Sequence, residues 1–459
     1  MKKILINRLE WAFLFIGLLF GGLLVFLNPP LHSNDEERHF YNVVLFSRFQ
    51  FVPDVQNNFS GIYLTEDMTG MVANFYGLDY RSGKKVNPET LRDLRKAPMN
   101  RSDKIFIHSF GTMEMPIPFI PHTIFMTLGS VFENNAIWLL WFARLGGLAA
   151  FLFIVFYSIK IIPFFKGFIF IWALTPMVLF QAASVTYDTM NNAVSVFIIA
   201  YIMNIIFVKR RMDRNDYIII FLLALVNVFC KPHTILLPLL YFSIPKEKRL
   251  YGKWMNAAFL IVFPLMYFLP DLTFGKYQSS LRLQNLGLWK DFLYGAPFLN
   301  LKIYLSNPVH FVANFFNNII VGIREWIFGA VGRFGYSYTK LPEWLIIIHS
   351  LVLILTAFFE SNKKFLMPLR TKTLFVGIGT LSAIIVIMGM YLMGPVGADM
   401  IFGLQGRYFI PAMPLLFLIL FNNNFEFPRW EKNKVYYLSV YVILILTYTT
   451  TFISGYFYE

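Results

Sequence analysis

The chain has 459 residues, 57% hydrophobic and 19% aromatic, with only 14% charged. Soluble proteins carry about 25% charged residues, so an ordinary globular domain is excluded. The formal net charge of +14 raises nucleic acid as a partner. Much of that excess lies in short loops between apolar blocks, where it orients a chain against anionic lipid, so no nucleic acid is expected. Cys230 is the only cysteine, which rules out an intrachain disulfide and a cysteine-based metal site.

The first apolar run follows Lys2, Lys3 and Arg8, as in a signal peptide. Asn28-Pro29-Pro30-Leu31-His32-Ser33-Asn34-Asp35 stands where a small-residue cleavage site belongs, so an uncleaved first helix with a cytoplasmic N-terminus is expected. Apolar blocks of about 14 to 24 residues fall near 9–27, 136–159, 164–181, 189–208, 216–230, 233–245, 256–270, 343–360, 373–393, 408–421 and 436–455. They predict an all-α integral membrane protein with about eleven transmembrane helices, within roughly ten to thirteen. The long first loop, 28–135, is expected outside the cytoplasm, with a small irregular excursion over 54–110.

Basic clusters fix the parity of the remaining crossings. Lys160 and Lys166 face the cytoplasm on this reading, as do Lys209, Arg210, Arg211 and Arg214. Lys246, Lys248, Arg249 and Lys253 do too, as do Lys363, Lys364, Arg370 and Lys372. Residues 217–244 are interrupted by Lys231-Pro232-His233, and parity makes them a hairpin of two short helices meeting at Lys231. Residues 309–331 hold Asn314, Asn317, Asn318, Arg324 and Glu325. A charge centred in hydrocarbon costs about 2.5–3.5 kcal/mol, so a re-entrant or interfacial element is expected there. Surface-lying amphipathic helices are expected over 281–288 and 293–305. The chain then divides into an N-terminal transmembrane module (1–270), an extracytoplasmic or re-entrant segment (271–342) and C-terminal transmembrane helices (343–459).

Ionisable groups crowd onto helix ends at three places. Asp35, Glu36, Glu37, Arg38 and His39 are consecutive. Ser33 and Glu36 have the spacing of a capping box, and capping alone would account for one acid. The functional alternative sets Asp35 as a general base over a partly desolvated pocket, with Arg38 or His39 positioning a phosphate or sugar. In Gln181 to Asn192, Asp188, Asn191 and Asn192 share one helical face and need partners or a ligand, unless Asp188 only caps the next span. Arg407 precedes a span at the outer surface, where it grips either lipid headgroups or a substrate phosphate. Gln405, Asp399 and Lys231 are further contacts to be expected there. Parity puts Asp35, Asp188, Lys231 and Arg407 on one face of the membrane. Carboxylates and cations around an outer-leaflet pocket suit chemistry on a lipid-linked phosphate. No nucleotide-binding glycine loop and no HExxH is present, and the seven histidines show no metal-ligand spacing.

The segments PPLHSNDEERHFY after the first block, SVTYDTMNNA entering the fourth and QGRYFIPAMPLL opening the penultimate one resemble bacterial polytopic membrane proteins catalogued as domain of unknown function 2142. FGYSYTKLP and CKPHTILLPLL agree more weakly. That family is grouped with the GT-C glycosyltransferases. The resemblance implies a GT-C-like architecture, a sugar donor linked to polyprenyl phosphate, and an active site on the extracytoplasmic face of a bacterial plasma membrane. It makes Asp35 the general base with Glu36 beside it as a second catalytic acid. Arg38, His39, Asp188, Asn192, Lys231, Gln405 and Arg407 are then expected to bind substrate.

The expected activity is inverting transfer of a sugar to a cell-envelope glycan or lipid acceptor, as in polysaccharide biosynthesis. Membrane lipids are the remaining partners. No cofactor and no metal is required, although Mg²⁺ or Mn²⁺ is compatible. The alternatives are a transporter or flippase of a lipid-linked sugar, or a non-catalytic assembly protein for a cell-envelope polymer. The donor sugar, acceptor and oligomeric state are not legible.

Overall fold

A computed structural model describes residues 8–57, 59–75, 86–96, 104–109, 114–132, 135–252, 254, 262, 297–335, 339–360, 365–422 and 434–457. It is mostly helical (74%). Helix α1 (Leu9–Leu27) leads through a turn to α2 (Glu36–Ser47). Strands β1 (Asp54–Gln56) and β2 (Phe59–Thr65), helices α3 (Glu66–Phe75) and α4 (Pro88–Lys96), and strand β3 (Lys104–His108) follow. The excursion expected to be irregular therefore carries an antiparallel sheet, ordered β1-β2-β3. Its cause is local alternation: Ile62 and Leu64 are buried and Tyr63 between them faces the other way, with Ile62 opposite Ile107.

The bundle continues with α5 (Ile120–Phe132), α6 (Ala136–Ile161), α7 (Lys166–Ala173), α8 (Pro176–Ala182), α9 (Tyr187–Phe207) and α10 (Arg214–Cys230). A 3₁₀ stretch (Pro232–Ser243) comes next. Helices α11 (Pro297–Ser306) and α12 (Pro308–Val331), the short pair β4 (Arg333–Phe334) and β5 (Thr339–Lys340), α13 (Glu343–Phe359) and α14 (Leu369–Leu392) come after it. The chain closes with a 3₁₀ turn (Gly406–Ala412), α15 (Met413–Phe417) and α16 (Lys434–Phe457). Among the described residues, α1, α6, α9 and α14 are long and apolar enough to cross a membrane, and shorter apolar helices accompany them. The expected span near 256–270 and the surface helix over 281–288 lie outside the described residues.

Two departures from continuous helices shape the bundle. The apolar block at 164–181 breaks at Leu174-Thr175, because Pro176 has no N–H to continue the ladder. At the break the Ile171 carbonyl accepts from Leu174 N–H at 3.2 Å, from the Tyr441 hydroxyl at 3.0 Å and from Thr175 Oγ1 at 3.3 Å, and His349 links both hydroxyls. The hairpin at Lys231 has unequal arms of 17 and 12 residues. An α-helix rises 1.5 Å per residue and a 3₁₀ helix about 2.0 Å, so both arms reach about 25 Å. Their far ends accordingly meet, with Met212 N–H on the Lys248 carbonyl at 2.7 Å. Helix α9, nearly all buried, runs down the middle against α6 and α10.

Candidate functional site

Pro29 and Pro30 stop α1 and leave its last carbonyls without helical partners. Arg144, projecting from α6, takes them up. Its Nη1 donates to the carbonyls of Val25 (3.0 Å) and Asn28 (2.6 Å), and its Nη2 donates to Pro29 (2.8 Å). The other edge of the guanidinium grips Glu36 through Nε (2.8 Å) and Nη2 (2.7 Å). All five N–H groups of Arg144 are thus satisfied, and both side chains are completely buried. Glu36 also accepts the N–H of Val185 at 2.9 Å and that of Ser33 at 3.3 Å. This one pair fixes the 28–36 turn to the turn that opens α9.

With Glu36 so held, Asp35 takes the cap position of α2 in the left-handed region, at φ 60°. Aspartate tolerates that conformation better than most side chains. Its carboxylate meets Arg407 Nη2 at 3.1 Å and Arg38 Nη1 at 3.6 Å. Arg407 Nη1 reaches Asp188 at 3.2 Å, and its Nε donates to Gln405 Oε1 at 2.8 Å. Gln405 Oε1 also accepts from Asn34 at 3.1 Å. Asp188 is ion-paired to Lys231 and accepts from Gln181 Nε2 at 2.8 Å; Gln181 in turn accepts from Asn192 at 3.0 Å. The Lys231 ammonium lies over the rings of Tyr408 (4.2 Å) and Tyr187 (5.1 Å).

The result is a balanced quartet of two carboxylates and two cations. Asp188, Lys231 and Arg407 are buried, and the side chain of Asp35 remains 22% exposed. Arg407 arrives at this point because Gly406 lies flat on α12. A Cβ at 406 would stand 1.9 Å from the Trp326 carbonyl oxygen.

The structure therefore brings together Asp35, Asp188, Lys231, Gln405 and Arg407, with Asn192 joined through Gln181. Arg38 stands at the rim, bridging Asp35 and Glu37. His39 is buried between the rings of Tyr187 (4.7 Å) and Phe119 (5.5 Å), and burial pushes its pKa down to about 4. Neutral and enclosed, it packs rather than pairs. Burial also raises the Glu37 carboxyl, with Arg38 pulling the other way. Glu36 departs from expectation: both its oxygens are spent on Arg144 and backbone N–H groups, which hold the turn that carries Asp35. Asp399 stands apart, with His310 and Asn314 of α12.

Arg144 and Gln181 were not anticipated. A lone arginine in the middle of an apolar block is the signal for the first. No group of three or more His, Cys, Asp or Glu side chains converges as a metal ligand set among the described residues.

The sequence pattern of the predicted membrane proteins DUF2142 matches residues 18–416. The chain belongs to this family. The DUF2142 match takes in every member of the quartet and the Arg144–Glu36 pair, and it supports a membrane location. No curated protein and no solved structure matches the chain.

Proposed function

We propose that the protein is a GT-C-type glycosyltransferase that moves a sugar from a polyprenyl-phosphate donor to a cell-envelope acceptor, on the extracytoplasmic face of a bacterial plasma membrane. The observation that carries the reading is the quartet itself. Asp35 and Arg407, 372 residues apart, meet at the one partly exposed edge of a buried charge network. A planar guanidinium suits a phosphate that arrives with a lipid.

In this mechanism the donor phosphate engages Arg407 and takes the place of the Asp35 carboxylate on Nη2. Asp35, so released, accepts the proton of the acceptor hydroxyl. The hydroxyl oxygen bonds to the anomeric carbon as the bond from that carbon to the phosphate oxygen breaks. The electron pair leaves with polyprenyl phosphate, whose charge falls to Arg407 and Lys231. Asp188 keeps both cations aimed at the site and compensates them while it is empty.

The test is transfer of radiolabelled hexose from polyprenyl phosphate to a cell-envelope extract by purified protein in lipid. Asp35→Asn should lower the rate by about 10²–10⁴, the span of general-base catalysis. A folded Asp35→Asn protein working at the wild-type rate would remove Asp35 from the role.

A further inference from the structure

Helix α12 is 24 residues long, or about 36 Å. Six of its residues, Val309, Val312, Phe316, Ile320, Ile323 and Ile327, are 46% to 80% exposed. Their spacings of three and four place them, at 100° per residue, within an arc of about 80°. The opposite side is engaged. Asn314 donates to the Asp399 side chain at 2.6 Å, and Asn318 donates to the Asp399 carbonyl at 2.7 Å and accepts from Ile401 N–H at 2.9 Å. Further along, Gly406 lies on the backbone of Trp326 to Ala330, and Trp326 packs on Phe409. The strand of chain from Asp399 to Gly406 thus runs along α12 and delivers Gln405 and Arg407 to the quartet.

Both ends of α12 lie at the cluster's end of the bundle. Its start adjoins the end of α14, where Tyr304 and Phe311 stack on Tyr391 and Asn300 donates to the Leu392 carbonyl at 2.8 Å. Its finish adjoins Gly406 and the head of α13, where Arg324 pairs with Glu343 at 3.0 Å. A helix with both ends at one level lies along the membrane. The apolar stripe is continuous there with the exposed face of α13, beginning at Trp344, Ile347, Ile348 and Leu351. Tryptophan at the head of an apolar helix is the usual marker of the bilayer boundary.

We propose that α12 is a lipid-seated strap, its stripe sunk among the acyl chains of the leaflet on the cluster's side, and its opposite edge holding the loop that carries Gln405 and Arg407. The occupant is phospholipid, because the stripe extends a face that must already be in lipid. An apolar stripe set against a polar edge, here Asn314, Asn317, Asn318, Arg324 and Glu325, is the amphipathic pattern of interfacial helices.

Spin labels test this directly, because Cys230 is the only native cysteine. In a Cys230→Ala background, Ile320→Cys, Ile323→Cys and the polar-edge control Asn317→Cys are labelled in vesicles of phosphatidylglycerol and phosphatidylethanolamine. Collision with oxygen and with a water-soluble nickel chelate is then measured. At least a threefold higher oxygen-to-nickel ratio at Ile320 and Ile323 than at Asn317 is expected. High nickel accessibility at 320 and 323 would overturn the proposal by placing the stripe in water. Immobile labels reached by neither reagent would overturn it in favour of a second protein covering the stripe. The measurement does not depend on catalysis, so it stands or falls apart from the transferase reading.

Discussion

Arg144→Met leaves Glu36 buried with its charge uncompensated, and Glu36→Gln does the same to Arg144. Both side chains have no exposure, so solvent screens neither. Removing one partner of such a pair costs about 3–5 kcal/mol, mostly for the charge left behind. Arg144→Met should fall at the upper end, because it also frees the carbonyls of Val25, Asn28 and Pro29. Each abandoned acceptor adds about 1 kcal/mol or more. The double variant removes both charges, so its loss should be smaller than the sum of the singles by about 1–3 kcal/mol. SDS titration in mixed micelles, followed by tryptophan fluorescence, measures all three. Singles that each cost under about 1 kcal/mol, or a double variant that equals the sum, would refute the claim that this pair pins the two turns together.

Gly406→Ala forces a Cβ to within 1.9 Å of a backbone oxygen, so the loop must lift off α12. A loss of about 1–3 kcal/mol in the same titration is expected, together with loss of transfer, because Arg407 moves with its neighbour. Asp188→Asn leaves Lys231 and Arg407 buried against one carboxylate instead of two. It should destabilise by about 3–5 kcal/mol, and Asp188→Asn with Lys231→Met should recover part of that loss. His39, at about 4 in the folded protein against 6.5 unfolded, is protonated first in the unfolded chain. Stability should therefore fall as pH drops from 6.5 toward 4, by up to about 3 kcal/mol from this group. In His39→Phe, melting curves across that range should be flatter, with a residual slope from His32, which is likewise held neutral to about 3.

How much of this was legible depended on whether a feature leaves a trace in composition. Charge does, so the hairpin tip at Lys231 and the crowding of Asp35, Asp188 and Arg407 onto helix ends could be read directly. Arg144 also leaves a trace, a single charge inside an apolar block, but the block's mean hydropathy hides it. The strands of the first loop are three to seven residues long, among glycines and asparagines, and two or three alternating positions do not stand out from turns. In the 3₁₀ arm the interior Pro238 marks the departure from an α-helix, while the apolar positions around it do not distinguish a period of 3.0 from 3.6. The break at Pro176 was marked by the proline. What fills it, the Thr175–His349–Tyr441 set, comes from parts of the chain that only the fold brings together.

The order in which the quartet forms has a consequence for how the protein is made. Lys231 is synthesised soon after Asp188, and Arg144 reaches back 108 residues to Glu36. Arg407 follows Asp35 by 372 residues, which at about 5–20 residues per second is roughly 20 to 75 seconds of translation. Asp35 waits through all of that interval, and Asp188 through its last 219 residues, without the cation that joins them. A chain that stops short of residue 407 therefore holds Asp35 with Arg38 and Asp188 with Lys231, as two separate pairs that only the last-made guanidinium joins.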